Sequence, residues 1–202
     1  METTKGIRIL SFDPALSHAG WSVAEYDDTT GKLIVVKFGH INPNKIVSRV
    51  NMRPQVEQFG TRLISLVTLR NSVEALIKEH NPTYIVVEDA FFNSKFPNAC
   101  MALLQWITTV ELLAYHQFNM PIYRVAARAA KHDINGSGGS SKENVQKAVL
   151  NHENISFANA DQKRDELAAM DEHEADSIAI GYCFSIRILP GLLAQSQVVK
   201  SV

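Results

Sequence analysis

Two short apolar runs in this chain each end at a carboxylate. The first run, Ile7 to Phe12, is followed by Asp13, and the second, Tyr84 to Val87, is followed by Glu88. Runs of this length that are rich in β-branched or aromatic residues and bounded by loops predict buried β-strands. If the two strands are neighbours, about 4.8 Å apart, their terminal carboxylates meet at one edge of the sheet and can share divalent metal ions.

A third acidic segment opens the last long predicted helix. His173 and Asp176 are three residues apart, so they share a helix face and could complete the metal site. Glu172, four residues before Asp176, is the alternative companion for that aspartate. Asp171 and Glu174 have the spacing of a helix N-cap with a capping box, so Asp171 is assigned a structural role.

The order of the predicted elements defines an α/β domain. Strands at 7–13, 20–26 and 32–40 have short connections, which indicate an antiparallel meander. An irregular segment at 42–54 follows, and the remaining predicted elements are a helix at 55–80, a strand at 83–88, a helix at 99–118, a strand at 121–125, and helices at 126–131, 141–152 and 172–188. We expect one domain over residues 1–202, with a mixed five-stranded sheet (three antiparallel strands, then two parallel) flanked by helices.

The composition is that of an ordinary globular domain. The chain has 202 residues, of which 46% are hydrophobic and 20% charged, and no run approaches the roughly 20 apolar residues of a membrane span. A cytoplasmic protein that does not bind membranes is the simplest expectation. Cys100 and Cys183 lack metal-ligand spacing and are expected to be reduced core thiols.

The charge distribution is uneven along the chain. A net charge of −1 argues against nucleic-acid binding when taken alone. However, residues 124–147 contain five Lys or Arg and two acids, whereas residues 161–176 contain seven acids and two basic residues. This pattern suits a protein that holds phosphates beside a metal site, and two ordinary solvated surfaces are the alternative.

The acidic residues could hold Mg²⁺ or Mn²⁺, since both ions prefer oxygen ligands. Two such ions about 3.5–4 Å apart can serve phosphodiester cleavage. Asp13 precedes Pro14 and could instead be only a turn residue. Glu88 is the stronger candidate, because a charge beside the core is costly without a partner. Six other histidines are expected at the surface or in turns: His18, His40, His80, His116, His132 and His152.

A glycine-rich loop, Gly136-Ser137-Gly138, precedes the predicted helix that contains Lys142. Backbone N–H groups next to a helix N-terminus can bind a phosphate. The segment lacks the features of a Walker loop, and most Gly-Ser stretches are plain connectors. With Lys131 and Lys142 on either side, contact with a phosphate backbone is the favoured interpretation.

Four segments in this order resemble the RuvC-like Holliday junction resolvases of the RNase H-like nuclease superfamily. They begin near Ile9-Leu10-Ser11-Phe12-Asp13, Val86-Val87-Glu88, Lys131 and His173-Glu174-Ala175-Asp176, and together they span most of the chain. The resemblance implies a homodimeric endonuclease that cuts four-way DNA junctions in recombination with two divalent ions, Mg²⁺ or Mn²⁺. By position, the implied metal and catalytic residues are Asp13, Glu88, His173 and Asp176.

The resemblance also implies DNA contacts. Lys131 and Lys142 would contact phosphates near the cut, and Phe91 would stack on bases at the branch point, although a core phenylalanine is the alternative. His173 stands where some members of the family have aspartate, which predicts higher activity with Mn²⁺ than with Mg²⁺. The alternatives to junction cleavage are an RNase H-like nuclease acting on RNA or on flap or fork DNA, and a junction-binding scaffold without catalysis.

Overall fold

A mixed β-sheet forms the centre of the protein. The computed structural model describes residues 6–15, 17–49, 52–91, 94–95, 97–138, 142–160 and 164–200. Within these residues the sheet has six strands in the order β5-β4-β1-β2-β3-β6. The strands are β1 (Ile7–Asp13), β2 (Ala19–Asp27), β3 (Lys32–Ile41), β4 (Tyr84–Glu88), β5 (Ile122–Val125) and β6 (Ile155–Phe157).

The strand pairing agrees with the predicted fold and adds one strand to it. The first three strands are antiparallel, and β4 and β5 join β1 in parallel. The sixth strand, β6, pairs in parallel with β3, so the sheet has six strands instead of the expected five. It has only three residues and lies in a polar segment. It is therefore too short to show the alternation of apolar and polar residues that predicts a strand.

Strands β1 and β4 are buried on both faces of the sheet. Alternate residues of a strand point to opposite faces. Accordingly, Ile9 packs in the core on one face, while Leu10 and Phe12 pack in the core on the other. By the same alternation Asp13 follows Ile9, and Glu88 follows Val86, onto one common face. The two terminal carboxylates therefore lie side by side on the same face of the sheet.

Helices cover both faces. One core contains residues of α5, α6, α8 and α9, and the other contains residues of α3 and α4. The helices are α1 (Pro43–Arg49), α2 (Arg53–Phe59), α3 (Thr61–His80), α4 (Pro97–Leu113), α5 (Ala127–Asn135), α6 (Lys142–Asn151), α7 (Arg164–Ala168), α8 (Glu172–Arg187) and α9 (Leu189–Lys200).

The helices differ from the sequence-based prediction in several places. The segment predicted to be irregular contains α1. The predicted helix at 55–80 is divided at Gly60, whose φ of 81° is strained for other residues. The last helix was predicted to be the one at 172–188, but a further helix, α9, begins at Leu189, with Pro190 in its first turn. Proline is compatible with a first turn because the N–H that it lacks has no partner there.

Helix α8 is the central helix on its face of the sheet. Eleven of its sixteen residues are buried. Its close approach to the sheet depends on Gly20, where an added Cβ would lie 2.0 Å from the carbonyl oxygen of His173. Gly181 allows a second close approach, because a Cβ added at Gly181 would lie 2.8 Å from the Ser11 hydroxyl. The first turn of α8 can therefore rest directly on β2, beside the end of β1.

Both cysteines are free and buried, as the sequence predicts. Among the described residues, no helix by itself has the length and apolar character to cross a membrane. The pair formed by α8 and the start of α9 passes that test by length and composition, with a bend of 44° between them.

Candidate metal centre at the ends of the central strands

Asp13 and His173 form the most direct contact in the candidate site. The Nδ1 atom of His173 donates a hydrogen bond to Oδ2 of Asp13, 2.6 Å away. Asp13 is only 8% exposed, and the contact joins the end of β1 to the first turn of α8, 160 residues later. Hydrogen bonding to Asp13 raises the pKa of His173, which favours the protonated imidazole.

Glu88 lies in the same group of charges. Burial, together with the nearby carboxylates of Asp13 and Asp176, raises the pKa of Glu88 to about 8. Lys131 and His173 oppose the increase, so four other charged groups act on this one carboxyl. Like charges crowded in a partly buried place disfavour ionisation unless a cation joins them.

Asp176 and Lys131 complete the group. The Nζ atom of Lys131 lies 4.0 Å from Oδ2 of Asp176, and both side chains are largely buried. Lys131 belongs to α5 and Asp176 to α8, so this pair links two helices over the end of the sheet. The structure thus brings Asp13, Glu88, His173 and Asp176 together, as predicted, with Lys131 beside them.

The first turn of α8 is fixed by local interactions that the sequence predicts. Asp171 caps the helix through its carboxylate and the Glu174 N–H, and Glu174 returns a contact to the Asp171 N–H. Glu172 was the alternative companion for Asp176. Its carboxylate instead lies 3.6 Å from Nε2 of His173 and is 40% exposed, so the contact with Asp13 is made by His173.

The donor set fits divalent cations. Three carboxylates and one imidazole converge from β1, β4 and α8, and carboxylate oxygens are the ligands preferred by Mg²⁺ and Mn²⁺. The raised pKa of Glu88 agrees with this, because it reflects first the burial of the carboxyl and then the negative charges of Asp13 and Asp176, which a bound cation would neutralise.

The residues predicted to contact DNA differ in their surroundings. Phe91 is 77% exposed, which contradicts the alternative of a core phenylalanine.

In the glycine loop, the Gly136 N–H donates a hydrogen bond to the His132 carbonyl, and the Ser137 N–H donates one to the Asn135 side chain. These two donors are therefore already used within the protein. Gly138 packs against the Arg128 backbone. Lys142 begins α6, and its side chain lies outside the described residues.

Part of the basic stretch is paired within the protein. Arg124 contacts the carboxylates of Glu111 and Asp89, at 2.6 and 3.4 Å. These contacts join β5 to α4 and to the residue that follows Glu88. Arg124 was counted as basic charge available for DNA. Its ion pairs reduce that contribution, and the sequence gives no sign of them because the partners are 13 and 35 residues away.

Two histidines near this site were expected at the surface or in turns. His18 and His40 are partly exposed, but both approach Asp171. The ring of His18 also lies 5.3 Å from that of His173. Neither histidine belongs to a recognisable motif, so only the tertiary contacts reveal their association.

Comparison with known proteins identifies one matching family. The family model described as crossover junction endodeoxyribonuclease RuvC matches residues 9–184. The RuvC of Maricaulis maris is 29% identical over 144 residues, which cover 71% of this chain and 76% of that protein. The RuvC of Caldanaerobacter subterraneus is 24% identical and covers 92% of this chain and 98% of that protein.

Solved structures agree at the level of the fold. Thermus thermophilus RuvC superposes with a TM-score of 0.65 at 18% identity, covering 91% of this chain and 96% of that one. The same protein in complex with a Holliday junction substrate matches with a TM-score of 0.65 at 16% identity and the same coverage. These matches confirm the predicted RNase H-like fold.

Proposed function

Since this chain belongs to the RuvC family of crossover junction endodeoxyribonucleases, we propose that it cuts Holliday junctions with Asp13, Glu88, His173 and Asp176. Family membership makes it a junction endonuclease that depends on divalent metal ions. The assignment to these four side chains is carried by one observation. Carboxylates from β1, β4 and α8 meet at one end of the sheet, where burial and the charges of Asp13 and Asp176 raise the pKa of Glu88.

We propose that the four side chains hold two ions, Mg²⁺ or Mn²⁺. When bound, the ions supply Lewis-acid stabilisation of the charge that develops on the scissile phosphate. Asp13 and Glu88 hold their carboxylates rigidly because each ends a buried strand. His173 can act as a ligand through its imidazole or orient the attacking water.

Lys131 is proposed to contact a DNA phosphate at the cut. Its ammonium is already directed toward Asp176, at 4.0 Å, so it lies beside the proposed metal ligands. A phosphate held there would contact the Lys131 ammonium, beside the carboxylates of the proposed metal site. Lys142 is proposed to make a second phosphate contact, and the loop at Gly136, Ser137 and Gly138 is proposed to lie close to the backbone.

Phe91 is proposed to stack on a base at the branch point. It follows Glu88 by three residues and is 77% exposed, so an aromatic ring is presented to solvent beside the site. Stacking of an aromatic ring on a base contributes about 1–3 kcal/mol.

We further propose that the chain, a single nuclease domain over residues 1–202, acts as a homodimer. Helices α2, α3 and α4 and the short π-helix Ala114–Phe118 carry large apolar side chains that are exposed in one chain. They are Phe59, Leu63, Val67, Met101, Leu104, Leu112 and Tyr115. Clusters of exposed apolar side chains are typical of association surfaces. A dimer presents two metal centres, as cutting both strands of a four-way junction requires.

The proposal is tested by incubating the purified protein with labelled four-way, forked and linear duplex DNA and RNA, in Mg²⁺, Mn²⁺ or EDTA. We expect cleavage of the four-way junction that requires metal. Asp13→Asn and Glu88→Gln should abolish cleavage while junction binding persists, and Asp28→Asn, at an exposed turn, should retain both. Preference for RNA or forks would contradict the substrate, and absence of cleavage would indicate a scaffold.

His173 provides a test of the metal preference. A neutral imidazole in place of a carboxylate tolerates Mn²⁺ better than Mg²⁺. We therefore expect faster cleavage in Mn²⁺, and a smaller ratio of Mn²⁺ to Mg²⁺ rates in His173→Asp. Equal or faster turnover in Mg²⁺ across a full titration of the wild type would refute this expectation.

A further inference from the structure

A second group of possible ligands lies beside the proposed catalytic centre. It consists of His18, His40 and Asp171, which we call the His18 cluster. One ligand atom from each residue lies within 4.8 Å of the others. Nε2 of His18 is 2.6 Å from Oδ2 of Asp171, and Nδ1 of His40 is 3.7 Å from the same oxygen. The two imidazole rings are stacked, with centroids 4.2 Å apart.

The position of the His18 cluster follows from the sheet register. Gly20 pairs with Asp13 on one side and with His40 on the other, so these residues form one row across three strands. The first turn of α8 rests on Gly20. The catalytic carboxylate therefore lies on one side of this turn, and the His18 cluster lies on the other side.

Asp171 presents one oxygen to the two histidines. Its Oδ1 accepts the N–H of Glu174 in the capping box, so Oδ2 is the atom that faces the imidazoles. Glu174 adds a second carboxylate, 90% buried, with Oε1 at 3.3 Å from Nδ1 of His40. Two carboxylates and two imidazoles thus surround one small volume, which gives it net negative charge whenever the imidazoles are neutral.

We propose that His18, His40 and Asp171 bind a transition-metal cation of the Zn²⁺ class at a site separate from the catalytic centre. Imidazole nitrogen favours Zn²⁺, Co²⁺ and Ni²⁺, whereas the carboxylates of the catalytic centre favour Mg²⁺ and Mn²⁺. In a tetrahedral zinc site with bonds of about 2.0–2.1 Å, neighbouring ligand atoms lie roughly 3.3 Å apart. The observed separations of 2.6 and 3.7 Å fall on either side of this value. Because the planes of the stacked rings differ by only 23°, one imidazole must rotate out of the stack to aim its nitrogen at a shared ion.

Such a cation would join three segments that are distant in sequence: the loop before β2, the end of β3 and the N-cap of α8. It would fix the turn that carries His173, since the His18 ring already lies 5.3 Å from that imidazole. The site does not depend on the proposed nuclease chemistry. Its ligands are different residues, and a cation of a different class occupies it.

The test is a calorimetric titration of chelator-treated full-length protein with Zn²⁺ in the presence of excess Mg²⁺. We expect one zinc ion per chain in the wild type and in Asp13→Asn. Loss of an outer-shell partner weakens metal binding by about 10–100-fold. His18→Ala and His40→Ala each remove a direct ligand, so each should weaken zinc binding by more than that. His116→Ala, which changes an exposed histidine elsewhere, should bind zinc as the wild type does.

Two outcomes overturn the proposal. If Asp13→Asn weakens zinc binding and His40→Ala does not, then the zinc occupies the catalytic centre. If no zinc binds, the His18 cluster is only a hydrogen-bonded group. X-ray absorption at the zinc edge of the loaded wild type gives a check that needs no variant. Two imidazole ligands are expected, and one or none contradicts the assignment.

Discussion

The raised pKa of Glu88 predicts that the metal-free protein loses stability as the pH rises. A carboxyl whose pKa is higher in the folded state stabilises the fold fully below its ordinary pKa and loses that contribution as the pH rises through the folded value. Here the window runs from 4.5 to about 8. The groups that act on Glu88 are Asp13, Asp176, Lys131 and His173.

Glu88→Gln removes this penalty, since glutamine resembles the neutral acid in shape. The shift of pKa corresponds to a ceiling of about 5 kcal/mol at 1.36 kcal/mol per pKa unit. Local relaxation and water reduce this, so we expect the variant to be more stable than the wild type by on the order of 2–4 kcal/mol at pH 8.5. At pH 5 the two proteins should differ little, because Glu88 is then mostly protonated in the folded wild type.

The assay is urea unfolding in EDTA at pH 5 and pH 8.5, at one protein concentration, for the wild type, Glu88→Gln and the exposed control Glu153→Gln. In saturating Mg²⁺ the advantage of Glu88→Gln should shrink or reverse, because the metal stabilises the wild type. Two results would refute this reasoning. In one, the difference in unfolding free energy between wild type and Glu88→Gln is the same at both pH values, and in the other, the control behaves like Glu88→Gln.

Three further outcomes are expected. Gly20→Ala places a methyl group against the His173 carbonyl; it should cost about 1–3 kcal/mol in urea unfolding and reduce cleavage, whereas Gly191→Ala, with open space around it, should change neither. Phe91→Ala should weaken junction binding by about 1–3 kcal/mol in a binding titration without lowering the unfolding midpoint, and a lowered midpoint would contradict its exposure. Junction affinity should fall steeply between low and moderate salt, less so in Lys131→Gln, and an affinity independent of salt would rule out the proposed phosphate contacts.

The sequence alone was sufficient for features that depend on local pattern. The apolar runs that end at Asp13 and Glu88 predict the strands β1 and β4, because burial on both faces requires apolar residues at successive positions. The capping box of Asp171 and Glu174 is confirmed for the same reason, since its contacts are made within four residues. The three antiparallel strands followed from the short connections between them.

Other features were decided only by the tertiary structure. The sequence left open whether β1 and β4 are neighbours, and the strand pairing shows that they are. The pairing of Arg124 with Glu111, the short strand β6 and the approach of His18 and His40 to Asp171 all join segments distant in the chain. No local pattern encodes them, because their energy comes from contacts that exist only after the sheet and α8 have packed together. The chain determines which side chains end its buried strands, and the packing determines which charges those side chains meet.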